Sequence, residues 1–153
     1  MTLRTRKLAK WGIIPANQQA ADEAALLFKD EEIKLYCNRA LKLLAKEDDP
    51  TRPNNPALNT PDVNVGCIEH DAPSWYKLRV QWNHIAEDDE IVIIRIRIIF
   101  SLSYVEDEQL IEYKFRELPF EDADNNIVIE QIGHRTANTY IEARRRWRKS
   151  HHK

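Results

Sequence analysis

The sequence predicts an α+β fold: an N-terminal helical hairpin packed on a mostly antiparallel sheet of four to five strands, followed by a C-terminal helix. Three observations predict it. Apolar residues follow helical spacing up to Leu44, switch to a period of two from Trp75, and return to a short helical pattern after Gly133-His134-Arg135. The 153 residues suffice for one domain, spanning 1–153, that buries about two-thirds of its unfolded surface. Apolar content of 42% and charged content of 31% describe a globular chain rather than a disordered one. No apolar run approaches the roughly 20 residues of a membrane span, so no membrane partner is expected. The start, Met1-Thr2-Leu3-Arg4-Thr5-Arg6-Lys7, lacks the apolar core of a signal peptide. Cys37 and Cys67 make no disulfide framework, and reduced thiols in a cytoplasmic protein are expected.

In chain order, residues 2–11 read as a short first strand with Leu3 and Leu8 as its apolar members. Gly12 and Pro15 punctuate, and Asn17 is a candidate N-cap. Ala20, Ala21, Ala24, Leu27 and Phe28 form one helical stripe. Asp30 then breaks and caps before Ile33, Tyr36, Cys37, Ala40, Leu41, Leu43 and Leu44, a second helix ending near Lys46. Five prolines interleaved with asparagines make residues 47–74 a long surface loop, touching down at Val63 to Ile68. From Trp75, Tyr76, Leu78 and Val80 alternate with Lys77, Arg79 and Gln81. Trp82 to Asp89 reads as a hairpin connection and Ile91 to Leu102 as a long strand. There Ile94, Ile96, Ile98 and Phe100 take one face, and Arg95 and Arg97 the other. A further strand is expected at Leu110 to Leu118, and a final one from Ile127. In that last strand parity groups Arg135 with Gly133, Gln131 and Ile129, and sends His134 to pack or hydrogen-bond beneath the sheet.

A net charge of −2 conceals strong asymmetry. Basic residues crowd both ends: Arg4, Arg6, Lys7 and Lys10, then Arg135, Arg144, Arg145, Arg146, Arg148, Lys149 and Lys153. Residues 103–125 form an acidic insertion between them. If the hairpin covers the Tyr76/Leu78 and Ile94/Ile96/Ile98 face, then Lys77, Arg79, Arg95, Arg97 and Arg135 share the uncovered one. Like charges on one face repel, and a polyanion ligand accounts for them. The alternative is a solvated face over which acids from residues 106–124 close.

Several short motifs occur in order. Ala40 to Ala45 (ALKLLA) is followed by the proline-rich connection, Trp75-Tyr76-Lys77-Leu78-Arg79-Val80, Arg97-Ile98-Ile99-Phe100, and Ile132-Gly133-His134-Arg135 with a later Tyr140. Over roughly residues 17–148 this resembles the RelE/ParE toxin superfamily. The resemblance implies the toxin component of a type II toxin–antitoxin system, with a cognate antitoxin protein as partner. On the RelE-like branch, which is favoured, it implies a ribosome-dependent endoribonuclease that cleaves messenger RNA without a metal or other cofactor. On the ParE-like branch the same scaffold inhibits DNA gyrase, and an inactive homologue is a further alternative. The resemblance also implies site roles for Lys77 and Arg79, for Arg97, and for Arg135 and Tyr140. Arg95, Arg144, Arg145 and Arg148 are candidates to bind RNA around them.

Cleavage beside a ribose needs a base for the 2′-hydroxyl, cations for the charge on the phosphorane and an acid for the leaving 5′-oxygen. The planar fork of arginine suits phosphate, which casts Arg97 and Arg135 as electrostatic stabilisers. Lysine and tyrosine hold their protons at neutral pH in water, so Lys77 or Tyr140 would need strong help to act as a base. Tyr140 reads equally as a helix residue packing with Trp147 or as a stacking and proton-transfer group. No CxxC or HExxH pattern is present, and His151-His152 is too isolated for a metal site. With glycine only at 12, 66 and 133 there is no phosphate-binding loop of the glycine-rich type.

Overall fold

The computed structural model describes residues 11–68 and 72–151. In order these form β1 (Gly12–Pro15), α1 (Gln18–Leu27), α2 (Glu31–Ala45), a 3-10 turn (Pro56–Leu58), β2 (Val63–Cys67), β3 (Trp75–Ile85), β4 (Ile91–Glu106), β5 (Gln109–Glu112), β6 (Asp124–His134) and α3 (Thr139–His151). The fold class is α+β. The expected strand at 2–11 falls almost wholly outside the described residues.

The sheet differs from the expected one: among the described residues it has six strands and is mixed. Its order is β1-β6-β4-β3-β2, with β5 paired to β4. β1 runs parallel to β6 and every other pair is antiparallel. At the crowded start of β1, Gly12 faces Asn126, whose side-chain oxygen a Cβ would strike.

The helices start where polar caps dictate. Asn17 Oδ1 accepts the Ala20 amide at 2.9 Å, and Asp30 Oδ1 accepts those of Glu32 and Ile33 at 3.0 and 3.2 Å. They lie over the sheet, α1 against β6 and β1, and α2 against β1 and β3. Ile33, Cys37, Ala40, Leu41 and Leu44 of α2 join Tyr76, Leu78, Val80, Trp82, Ile96, Ile98, Phe100, Ile127, Ile129 and Ile132 in the main core. Glu32 pins the helix to β3 by accepting from the Trp82 indole at 3.1 Å and meeting His84 Nδ1 at 2.5 Å, beside a stacked Tyr36–Trp82 pair. Cys37 and Cys67 are both free, one buried and one exposed. Burial pushes the Cys37 thiol up to about 12.

A β-bulge corrects the predicted parity of β6. Ile132 pairs with Ile98 and Gln131 with Ile99, but Ile129, not Glu130, pairs with Phe100. The extra residue puts Glu130 and Gln131 on one face and returns Ile129 to the helical core, away from Gly133. Ser101 donates to Glu130 at 2.8 Å on the opposite face from that core. Strand β3 runs to Ile85, so the expected connection at Trp82 to Asp89 shrinks to 86–90. In place of a strand from Leu110 to Leu118 there is only β5, joined to β4 through Asp107 and Glu108 at φ 51° and 64°. Two left-handed residues match the right-handed twist of a two-residue hairpin.

A second, smaller cluster forms under α3: Ile68, Ala72, Trp75, Ile99 and Ala143, with Tyr140 and Trp147 packed against it. The face opposite the N-terminal helices is therefore partly covered, not bare as expected. Arg146 holds α3 there. It is buried, and it donates to Glu23 of α1 at 2.6 and 2.8 Å, to Glu142 at 2.8 Å and to the bulge carbonyl of Glu130 at 2.9 Å. Among the described residues no helix is long and apolar enough to cross a membrane.

Candidate nucleic-acid interface

Strand register assembles the basic face. Arg79 on β3 lies across from Arg97 on β4, and Arg97 lies across from Gly133 on β6. Lys77 takes the next same-face position on β3, opposite Ile99 on one side and Gly66 on the other. A Cβ at Gly66 would come within 3.2 Å of Lys77 Cε, so the glycine makes room for the lysine stem. Arg135 leaves β6 with its amide bonded to the Arg95 carbonyl at 2.9 Å. From above, α3 lowers Tyr140, whose hydroxyl accepts from Arg97 Nε at 3.0 Å and whose ring lies 5.0 Å from Lys77 Nζ. Lys77, Arg79, Arg97, Arg135 and Tyr140 are thus neighbours. Tyr140 packs, like Trp147, on the small core, and its hydroxyl turns to Arg97.

The electrostatics are unusual for a surface. Arg97 is only 6% exposed. Burial lowers its pKa, Arg79 and Arg135 add to that, and Tyr140 opposes it. Its Nη1 bonds the Ile96 carbonyl at 3.1 Å. Among the described residues no carboxylate forms an ion pair with Lys77, Arg79, Arg95, Arg97 or Arg135. Two buried side-chain polar atoms without a hydrogen-bond partner, Arg79 Nε and Gln131 Oε1, lie on this same face. Unpaired buried polar groups cost stability, and a bound water, an ion or a ligand is among the partners that would satisfy them. Gly133 leaves space at the centre: a Cβ built there meets nothing within 4 Å.

The acidic insertion does not close over this face. Its Glu112 reaches only the far end, accepting from Ser74 at 2.6 Å and the Trp75 indole at 3.0 Å, with His151 Nε2 at 2.8 Å. Behind it Tyr104, Tyr113 and Phe120 form an aromatic anchor. The remaining predicted residues are dispersed. Arg95 is exposed one step along β4 from Ile96. Arg145 is exposed and engaged by Glu142 at 2.7 and 2.8 Å, Arg144 is half-buried on α3, and Arg148 is exposed. The paired arginines hold Glu142 down to about 2. His134 is exposed, so it neither packs nor hides beneath the sheet.

Sequence reasoning placed Gln131 on this face but missed Glu130 and the clamping role of Arg146. The adjacent polar pair Glu130-Gln131 within an isoleucine-rich strand was the available signal for a bulge. Burial raises the Glu130 carboxyl to about 7, with Ser101 opposing and Glu112 reinforcing. No family model matches the chain, and neither a curated protein nor a solved structure does.

Proposed function

We propose that this chain is the toxin component of a type II toxin–antitoxin system, a ribosome-dependent endoribonuclease acting on messenger RNA. One observation carries the reading: a nearly buried Arg97 bonded to a tyrosine hydroxyl, flanked by Arg79, Arg135 and Lys77, with no carboxylate to neutralise any of them among the described residues. Clustered cations without counter-charges suit a phosphodiester whose negative charge grows in the transition state. Arg97 and Arg135 take the phosphorane oxygens. Tyr140, held between the Arg97 guanidinium and the Lys77 ammonium, moves the proton of the 2′-hydroxyl or of the leaving 5′-oxygen. Arg79, Arg95 and Arg148 guide the flanking backbone. The sequence resemblance to RelE-like toxins agrees with this chemistry, and a cognate antitoxin is the expected protein partner.

A second reading, a non-catalytic binder such as a gyrase inhibitor, is favoured by the lack of a histidine among these five residues. One experiment separates the two. Purified protein is added to cell-free translation, and messenger RNA ends are mapped with and without ribosomes. The RNase reading expects cleavage only with ribosomes, falling about 100-fold or more in Arg97→Ala. Intact message at normal protein output overturns it, and loss of gyrase supercoiling would then support the binder.

A further inference from the structure

The longest hairpin of the molecule outruns its neighbours. β2 last pairs with β3 at Val80, and β6 last pairs with β4 at Ile96. Beyond them β3 and β4 continue as a two-stranded ribbon to the Ile85–Ile91 pair. Glu32 of α2 supports one side of it through Trp82 and His84. The other side is bare, with Ile85 67%, Ile91 66% and Ile93 49% exposed. The ribbon tip, Glu87-Asp88-Asp89-Glu90, carries four consecutive acids on a tight turn closed by Ala86 N to Glu90 O at 2.8 Å. Its base carries Arg95 and Arg135. Among the described residues neither the acids nor these arginines form an ion pair.

Among the described residues the β4 edge of the ribbon is also unpaired. The Arg95 carbonyl accepts from Arg135, so strand alternation aims the N–H and C=O groups of Ile93 and Ile91 at the open edge. Natural edges of this kind are blunted by lysine, proline or a bulge, and Trp82 to Ile94 contains no lysine or proline. Along β4 the order is acidic tip, apolar edge, basic base. An antiparallel two-fold partner presents the same three features in reverse, so each meets its complement.

We infer that this edge docks a second copy of the chain: β4 of each copy pairs antiparallel over Ile91–Ile93, and the acidic tip of each lies against Arg95 and Arg135 of the other. With Ile91 opposite Ile93 of the second copy, Val92 sits on the two-fold axis, and the acidic turn of each copy ends beside the Arg95–Arg135 base of the other. The contact is smaller than that of a permanent dimer, so the association is reversible and weakens with salt. The inference is drawn from strand pairing and charge, and because it engages Arg95 and Arg135, which the RNase reading gives to RNA, the dimer and RNA compete for them.

Sedimentation velocity on the full chain at rising concentration and low salt tests it. The unmodified protein is expected to shift from monomer to dimer in the micromolar range. Ile93→Lys, at an exposed position, should remain monomeric with an unchanged circular dichroism spectrum. Asp89→Lys should weaken association about tenfold, and Asp89→Lys combined with Arg95→Asp should restore it. A protein that stays monomeric at its highest soluble concentration overturns the inference. So does a dimer that survives Ile93→Lys, or a charge reversal that restores nothing.

Discussion

The two faces of the sheet are built on opposite terms. The face under α1 and α2 is a continuous apolar core from Ile33 and Leu41 through Ile98, Phe100 and Ile132. Among the described residues the face under α3 has five buried core members, and beside them sit Arg97, Arg79, Lys77 and Arg135 without carboxylate partners. One face is satisfied and the other is not. The contrast teaches that stability here comes from the first face, and that the second keeps unfavourable charge at a cost the first can absorb.

Three substitutions break or sharpen this contrast. The largest effect is expected from Phe100→Ala, at a fully buried position, which should cost about 3–5 kcal/mol in urea unfolding; a cost under about 1 kcal/mol would move the stabilising core elsewhere. Next is Glu130→Gln, which tests the other face through pH. The folded protein holds the Glu130 carboxyl near 7 against an ordinary 4.5, so folding favours the protonated form. Stability from this group is full below about pH 4.5 and declines as pH rises to about 7, by about 3 kcal/mol at most. Glu130→Gln should flatten that slope and stabilise the protein at pH 8 but not at pH 4; an unchanged pH profile would mean that the carboxyl is solvated. The smallest expected effect on folding is that of Arg97→Met, which should leave stability unchanged or raise it by about 1 kcal/mol, while abolishing the messenger RNA cleavage we propose. A clear loss of stability would make Arg97 structural and dissolve the contrast between the faces.

Much of this was legible in the sequence. Asn17 and Asp30 announced both helix starts, because a short polar side chain before an amphipathic stripe has few other uses. Period-two alternation placed Lys77, Arg79, Arg95 and Arg97 on one face, and the five candidate site residues meet. Three things were not legible. Parity cannot survive the inserted residue at Glu130-Gln131, so Ile129 was assigned to the wrong face. The parallel pairing of β1 with β6 depends on contacts more than a hundred residues apart, which no local pattern encodes. Arg146 looked like its neighbours in the Arg144-Arg145-Arg146 run, and only packing against Glu23 and the Glu130 carbonyl sets it apart.

That buried arginine has a mechanical consequence. Arg146 and Tyr140 ride on the same helix six positions apart, about 9 Å along its axis. One is tethered to α1 around the edge of the sheet, and the other touches Arg97. The helix therefore joins the Glu23 carboxylate to the Tyr140–Arg97 contact through one rigid element seated on the small core at Ala143. Removing that carboxylate is expected to loosen the seat of the tyrosine hydroxyl on Arg97 from the far side of the sheet.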